Sequence, residues 1–363
     1  CMSPCHGFNG IVDQWKTSTH YVGVIPNNDE VPTWTGPGPC GNCHASDGLP
    51  NRLAGVVTPT DGGPPGLARG QTEYLAGGAV KEIAYAGQSN VAVIGCTTCH
   101  AVDATNDPHV TGALYMPGTF ALRVPHGATD EALIEKSPAP GAVTGTPAGA
   151  WQQSNTCVFC HKSRKDVTNT ITATTNISNG FWGPHEGPHS DIFSGVGGYH
   201  YASQTYRSST HQQLSGCSAC HMPKVAANHD YPDHSMVVHT ASCTGASCHA
   251  GATSFDVGGG QGVVKAALGE MQALLNGLGV LSRASAAPYD PLAPADLADG
   301  RYDLDRTRAG TLTDAQAGAL YNYLLIARGS AWGVHNPIYV KELLYDSIFA
   351  LKGAPPNVIP ARP

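Results

Sequence analysis

The most regular alternation of apolar and polar positions lies beyond Gly251. Val264, Leu268, Met271, Leu275 and Leu278 recur at helical intervals and predict one amphipathic helix of about five turns, between Gly258–Gly260 and Ser282. A second helix is expected to start at Thr313, whose hydroxyl can cap it while Gln316 reaches back, and to stop at Gly329. A third takes Asn336 as its cap and Pro337 in its first turn, and ends at Gly353; Val340, Leu343, Leu344, Ile348 and Leu351 mark its buried stripe. Residues 1–250 are instead irregular spacers rich in Gly, Pro, Thr and Asn. Within them Thr168–Ser178 is β-prone but polar and predicts an extended surface segment, and its Asn176-Ile177-Ser178 is a glycosylation sequon expected on a loop. The expected fold is mostly irregular coil with a few short α-helices, closed by an α-helical C-terminal segment, so that 1–250 and 251–363 form two regions.

Composition agrees with a chain of turns. Of 363 residues 44 are Gly and 27 Pro, and charged residues make up 13%, against about 25% in ordinary globular proteins. A hydrophobic share of 41% and a net charge of only -7 exclude the profile of a disordered chain. The acidic balance offers no basic patch, so nucleic acid is not an expected partner. No run approaches the length needed to span a bilayer, and no basic-then-apolar leader precedes Cys1. The expectation is a mature exported chain, secreted, or periplasmic if it does not assemble.

The 12 cysteines supply the chemistry. Four pairs have the spacing C-x-x-C-H: Cys40, Cys43, His44; Cys96, Cys99, His100; Cys157, Cys160, His161; and Cys217, Cys220, His221. This is the attachment pattern of a c-type haem, in which two thiols about one turn apart reach the two vinyl groups of one porphyrin and the adjacent imidazole lies under the iron. The remaining pairs, Cys1 and Cys5 before His6 and Cys243 and Cys248 before His249, have spacings C-x3-C-H and C-x4-C-H. Reading them as longer-looped versions of the same site leaves no cysteine over and predicts six covalent haems c. Structural zinc gathers its ligands four at a time, whereas every pair here carries its own His. Short-loop disulfides stay the rival for the two irregular pairs. A thioredoxin-like redox motif would need a βαβ setting that the pattern lacks.

Besides the six expected proximal ligands, eleven of the 17 histidines remain. Such a surplus reads as distal ligands giving bis-His coordination, which leaves no open iron position and favours electron transfer over catalysis. His20 follows Trp15, an aromatic placed to pack on a porphyrin face. His109 and His185 each follow a proline that fixes the preceding backbone, and His211 and His234 shortly precede Cys217 and Cys243. His335 lies on the link between two helices, which would hold an imidazole rigidly. These six are the distal candidates. His126 is the reserve, while His189, His200, His229 and His239 are expected at the surface, near haem propionates or behind a ligand. Met2, Met116, Met222, Met236 and Met271 are the alternative caps. With some 60 residues per macrocycle the chain alone makes a marginal core, so the expected core is the porphyrins, tethered as disulfides tether small secreted domains.

Flanking strings carry a resemblance. Cys217–Pro223 (CSACHMP), Trp182–His185 (WGPH), Asn106–Gly112 (NDPHVTG) and Gly333–Tyr339 (GVHNPIY) resemble the extracellular multihaem cytochromes that polymerise into conductive filaments, the OmcE- and OmcS-like cytochrome nanowires; the last string is also similar to multihaem nitrite reductases. The resemblance implies a stacked wire of bis-His haems and self-association in which a histidine near one subunit's start ligates a haem of the next, with His20 the matching position here. Such a head-to-tail contact yields a filament rather than a ring. Other redox proteins or extracellular acceptors would take the electrons. The alternatives are a soluble periplasmic carrier and a multihaem reductase with one open iron; against the latter, no Lys replaces a motif His.

Overall fold

The computed structural model describes residues 5–6, 10–22, 41–44, 46, 48–53, 73–74, 80–81, 94–112, 120–124, 154–163, 165, 167–177, 182–214, 216–224, 231–245, 248–283, 302–304 and 311–363. These are partly helical, with little sheet and much coil. The chain forms two compact units: Cys1–Leu133 with Trp151–Cys160 and Ser215–Thr253, and Ile134–Ala150 with His161–Leu214 and Ser254–Pro363. These units do not follow a linear division at residue 250. Residues 161–214 group with the C-terminal helices because those helices satisfy their backbone: Gly198 donates to the Tyr339 hydroxyl at 2.8 Å, Tyr199 to Asn322 Oδ1 at 2.8 Å, and Ser209 to Asn336 Oδ1 at 2.8 Å.

The second unit is built on three mutually packed helices, Gly260–Gly277, Asp314–Gly329 and Pro337–Lys352. Each follows from local chemistry. Thr313 Oγ1 accepts from Gln316 N while Gln316 Oε1 accepts from Thr313 N, the two halves of a capping box. Gly353, at φ +72°, ends the third helix in the left-handed region that glycine enters without a Cβ penalty. In the first helix Val264, Leu268, Met271 and Leu275 are buried as the stripe predicts, so Met271 is a core residue. Leu278 departs from the stripe and is exposed. The helix ends at Gly277, short of Ser282, and Gly279 turns the chain so that Val280 N returns to Leu275 O. Ser282 lies in a strand, Leu281–Arg283, paired antiparallel with Tyr302–Leu304. In the third helix Val340, Leu343, Leu344 and Ile348 are fully buried and Leu351 partly so.

Asn336 does not cap that helix through its side chain. Its Oδ1 accepts from Ser209 N, and its Nδ2 donates to Phe193 O and Ser208 Oγ, so the amide fastens the 193–209 stretch instead. The middle helix is buried without interruption from Ala317 to Ala327, the mark of a helix enclosed on all sides. A Cβ at Gly318 would stand 2.2 Å from the Tyr199 ring, which is why that helix position carries no side chain. Polar anchors secure the chain end. Glu342, wholly buried, accepts from Arg207 N at 2.7 Å and Nε at 2.8 Å, and Arg362 reaches Asp346 at 2.9 Å.

The Thr168–Ser178 expectation is also revised. Val167–Thr170 is a helical turn, and only Thr174–Asn176 is a strand, paired antiparallel with Thr311–Thr313. Ile171 and Ile177 are buried in the same core as the helices, so two apolar residues in a polar run pin it inward. Asn176 of the sequon sits exposed at the strand end; Ser178 lies outside the described residues.

The first unit is held differently. Among its described residues the buried hydrophobics are Leu49, Val124, Val158 and Phe159, outnumbered by buried polar residues such as Gln14, Ser18, Thr98, Ser154, Asn155, Thr156 and Asp233. Polar ties join one cysteine-bearing segment to the next. Thr98 Oγ1 donates to Ser46 O at 2.6 Å, Thr156 Oγ1 to Val124 O at 3.2 Å, Ser218 N to Ser154 Oγ at 3.2 Å, and Ser242 Oγ to Cys220 O at 3.3 Å. Trp15 Nε1 donates to Ile94 O at 2.9 Å.

Candidate haem-binding sites

Each regular motif that is fully described sits on or beside one helical turn. Cys96–Cys99 is a single turn, with His100 N donating to Cys96 O at 2.8 Å; Cys217–His221 is another, and Cys157 ends in the Asn155–Val158 turn, with Cys160 N donating to Cys157 O at 3.1 Å. Two thiols one turn apart project to the same side, as two vinyl groups require. The irregular Cys243–His249 segment reaches the same closure by a longer route. His249 N donates to Cys243 O at 2.9 Å, the counterpart of the His100–Cys96 bond, while Cys248 N donates to Gly245 O at 2.8 Å to take up the extra residues. Cys1 and Cys40 lie outside the described residues; Cys5 and His6 are described, and Cys43 and His44 close the Gly41–His44 turn.

No disulfide closes a described pair, Cys243 and Cys248 included, and among the described residues no group of three or more His, Cys, Asp or Glu is arranged to hold a bare metal ion. Burial pushes Cys99 up to about 11, with Cys96 nearby adding to it. The Cys157 thiol shares a hydrogen bond with Cys217 and, with burial, is held well above the ordinary thiol range, while the same bond draws Cys217 down. The first cysteines of two successive motifs are thus in contact.

The histidines divide by which ring nitrogen is already engaged. A carbonyl oxygen can only accept, so an Nδ1 bonded to one carries the proton and the lone pair falls on Nε2, the arrangement found behind metal-bound imidazoles. Proximal candidates His100 and His221 bond in this way to Phe120 O at 3.0 Å and Met236 O at 3.2 Å. Among the distal candidates, His234 bonds to Pro232 O at 2.8 Å, His185 to Glu186 O at 3.0 Å and His211 to Val334 O, while His109 Nδ1 bonds to Asp107 Oδ1 at 2.9 Å. The opposite case is His200, whose Nε2 meets the Tyr339 hydroxyl at 2.9 Å, and His239, whose Nε2 meets Asp233 Oδ2 at 3.1 Å.

With metal–imidazole bonds of about 2.0–2.1 Å, two rings on opposite sides of one metal have centroids about 6 Å apart. In the first unit His100 and His234 stand 6.3 Å apart with planes 30° from parallel, and His6 and His109 stand 5.9 Å apart at 81°. Each pair joins an expected proximal ligand to an expected distal one. His234 is held by its backbone N donating to Gln14 Oε1 at 3.0 Å, and burial, then the neighbouring His100, lowers its pKa despite the bond to Pro232, which favours the neutral ligating form. His20, at the Thr19–Val22 turn, is also pushed down by burial.

In the second unit His161 and His189 have centroids 5.5 Å apart at 30°, and His189 meets His335 edge-on at 5.1 Å and 74°. The structure therefore places His335 against His189, and it places His189, which the sequence reading set aside, against the proximal candidate His161. The signal was present: Gly183–His189 repeats Gly-Pro-His twice, and the proline argument that singled out His185 applies equally to His189. His126 and His229 lie outside the described residues. No protein-family model, no curated protein and no solved structure matches the chain.

Proposed function

We propose that the chain is a hexahaem c-type cytochrome that carries electrons along a series of bis-His haems. The observation that carries this reading is the His100–His234 pair: two imidazoles at the spacing of trans-axial ligands, each with its Nδ1–H donated to a carbonyl so that Nε2 can face a metal. Support also comes from the first unit's described residues, where cysteine turns and histidines surround few buried hydrophobics, a composition that a porphyrin core would complete.

In this reading Cys1 and Cys5, Cys40 and Cys43, Cys96 and Cys99, Cys157 and Cys160, Cys217 and Cys220, and Cys243 and Cys248 tether the six macrocycles, with His6, His44, His100, His161, His221 and His249 as proximal ligands. When bound, each iron supplies a one-electron couple whose potential its ligands and their hydrogen bonds set. The chain's own part is to hold imidazoles on both sides, to favour the neutral form of His234 by burial, and to bring successive sites together, as at Cys157 and Cys217. Saturated coordination makes the protein a carrier rather than an enzyme.

The setting we propose is extracellular, as a conductive filament in which His20 ligates a haem of the adjacent subunit; the motif strings support this. Among the described residues no helix is long and apolar enough to cross a membrane. Low-temperature EPR of the oxidised protein is expected to show only low-spin ferric haem, and a substantial high-spin signal would favour a reductase with an open site. Negative-stain microscopy is expected to show long fibres; short particles under all conditions would return the chain to the role of a soluble periplasmic carrier.

A further inference from the structure

Resting on the haem reading above, the geometry points to His189 as the second axial ligand of the iron that His161 holds. The two rings are 5.5 Å apart with planes 30° from parallel, close to the roughly 6 Å that two metal–imidazole bonds impose. His335 meets His189 edge-on, and His185 has its side chain 44% exposed and its Nδ1 bonded to Glu186 O.

The backbone explains why this pair is held. Ser190 N donates to His161 O at 3.0 Å, and His189 N donates to Gly187 O at 2.8 Å. One step along, the fully buried Asp191 takes Ser163 N at 2.8 Å and Ser163 Oγ at 2.6 Å. Residues 161–163 and 189–191 are thus clasped at both ends, and the two imidazoles leave the clasp side by side. Gly187, at φ +71°, lies against both rings: a Cβ there would be 3.7 Å from His161 Nδ1 and 3.7 Å from His189 Nε2. An arrangement this specific does not follow from hydrophobic packing. It follows from a need to fix His189 relative to His161, which is what pre-organised axial ligation asks of a chain.

The test uses the full haem-loaded chain, with intact mass as the loading control. His189→Ala is expected to open one iron, seen as one carbon monoxide bound per reduced chain and a new high-spin ferric signal where the unaltered protein has neither. His189→Met is expected to keep that iron closed while raising one haem's midpoint potential, because a thioether favours the ferrous state. His161→Ala combined with His189→Ala is expected still to open a single iron, or to lose one haem and open none; two open irons would assign the residues to different haems and overturn the proposal. So would a six-haem His189→Ala chain that binds no carbon monoxide. An unaltered chain with fewer than six haems would count instead against the hexahaem reading itself.

Discussion

On the haem assignment proposed above, replacing His234 by alanine is expected to let the reduced chain take up one molecule of carbon monoxide where the unaltered chain takes up none. His234 stands 6.3 Å from His100, its Nδ1–H is spent on Pro232 O, and its backbone is fixed by Gln14, which leaves Nε2 for the proposed ligation. Truncation removes the ligand and leaves His100 and the thioethers to hold a five-coordinate iron. His239→Ala is the matched control from the same segment. Its Nε2 is bonded to Asp233, so the change is expected to leave every iron closed. Carbon monoxide difference spectra distinguish the two; equal uptake by both variants, or by neither, contradicts the pairing.

Leu343→Ala is expected to have the largest effect on stability. Leu343 is completely buried between the helices, and its methyl groups lie where a Cβ of Gly198 would be, at 2.8 Å. Losing those atoms costs about 2–5 kcal/mol in transfer and cavity terms, a large part of the roughly 5–15 kcal/mol that holds a typical protein folded. Leu278→Ala, at a position 40% exposed, should fall within about 0.5 kcal/mol of the parent. Urea midpoints read from the helical signal test the contrast, and comparable shifts for the two would mean that the three-helix core is wrongly placed.

The three C-terminal helices were legible because their signals are local. A capping box at Thr313 and Gln316, Pro337 in a first turn, and Gly353 beyond the last turn act over three or four residues, and the structure honours them. Where the reading went wrong, a longer contact decided. Asn336 gave up its cap to bond Ser209, more than a hundred residues away in sequence, and Ile171 and Ile177 drew a polar segment inward onto a core that no local pattern reveals. The proposed haem motifs are likewise local, and the extra residues of the C-x4-C-H spacing fold into the loop that returns His249 to Cys243. The proposed distal ligands are a different matter. His109 meets His6 and His234 meets His100 across separations of roughly a hundred residues or more, and spacing does not encode such pairings. His189 was passed over although it lies only two residues beyond Gly187 in a repeated Gly-Pro-His, because position after a proline says that a ring is oriented without saying toward what.

The proposed electron-carrying role depends on how many porphyrins the cysteines carry. Intact-protein mass spectrometry of the purified chain measures that number directly. The account predicts the mass of the polypeptide plus six haems, stable to denaturation, with no species bearing an internal disulfide. A mass corresponding to four haems, with Cys1 and Cys5 or Cys243 and Cys248 oxidised to each other, would contradict it.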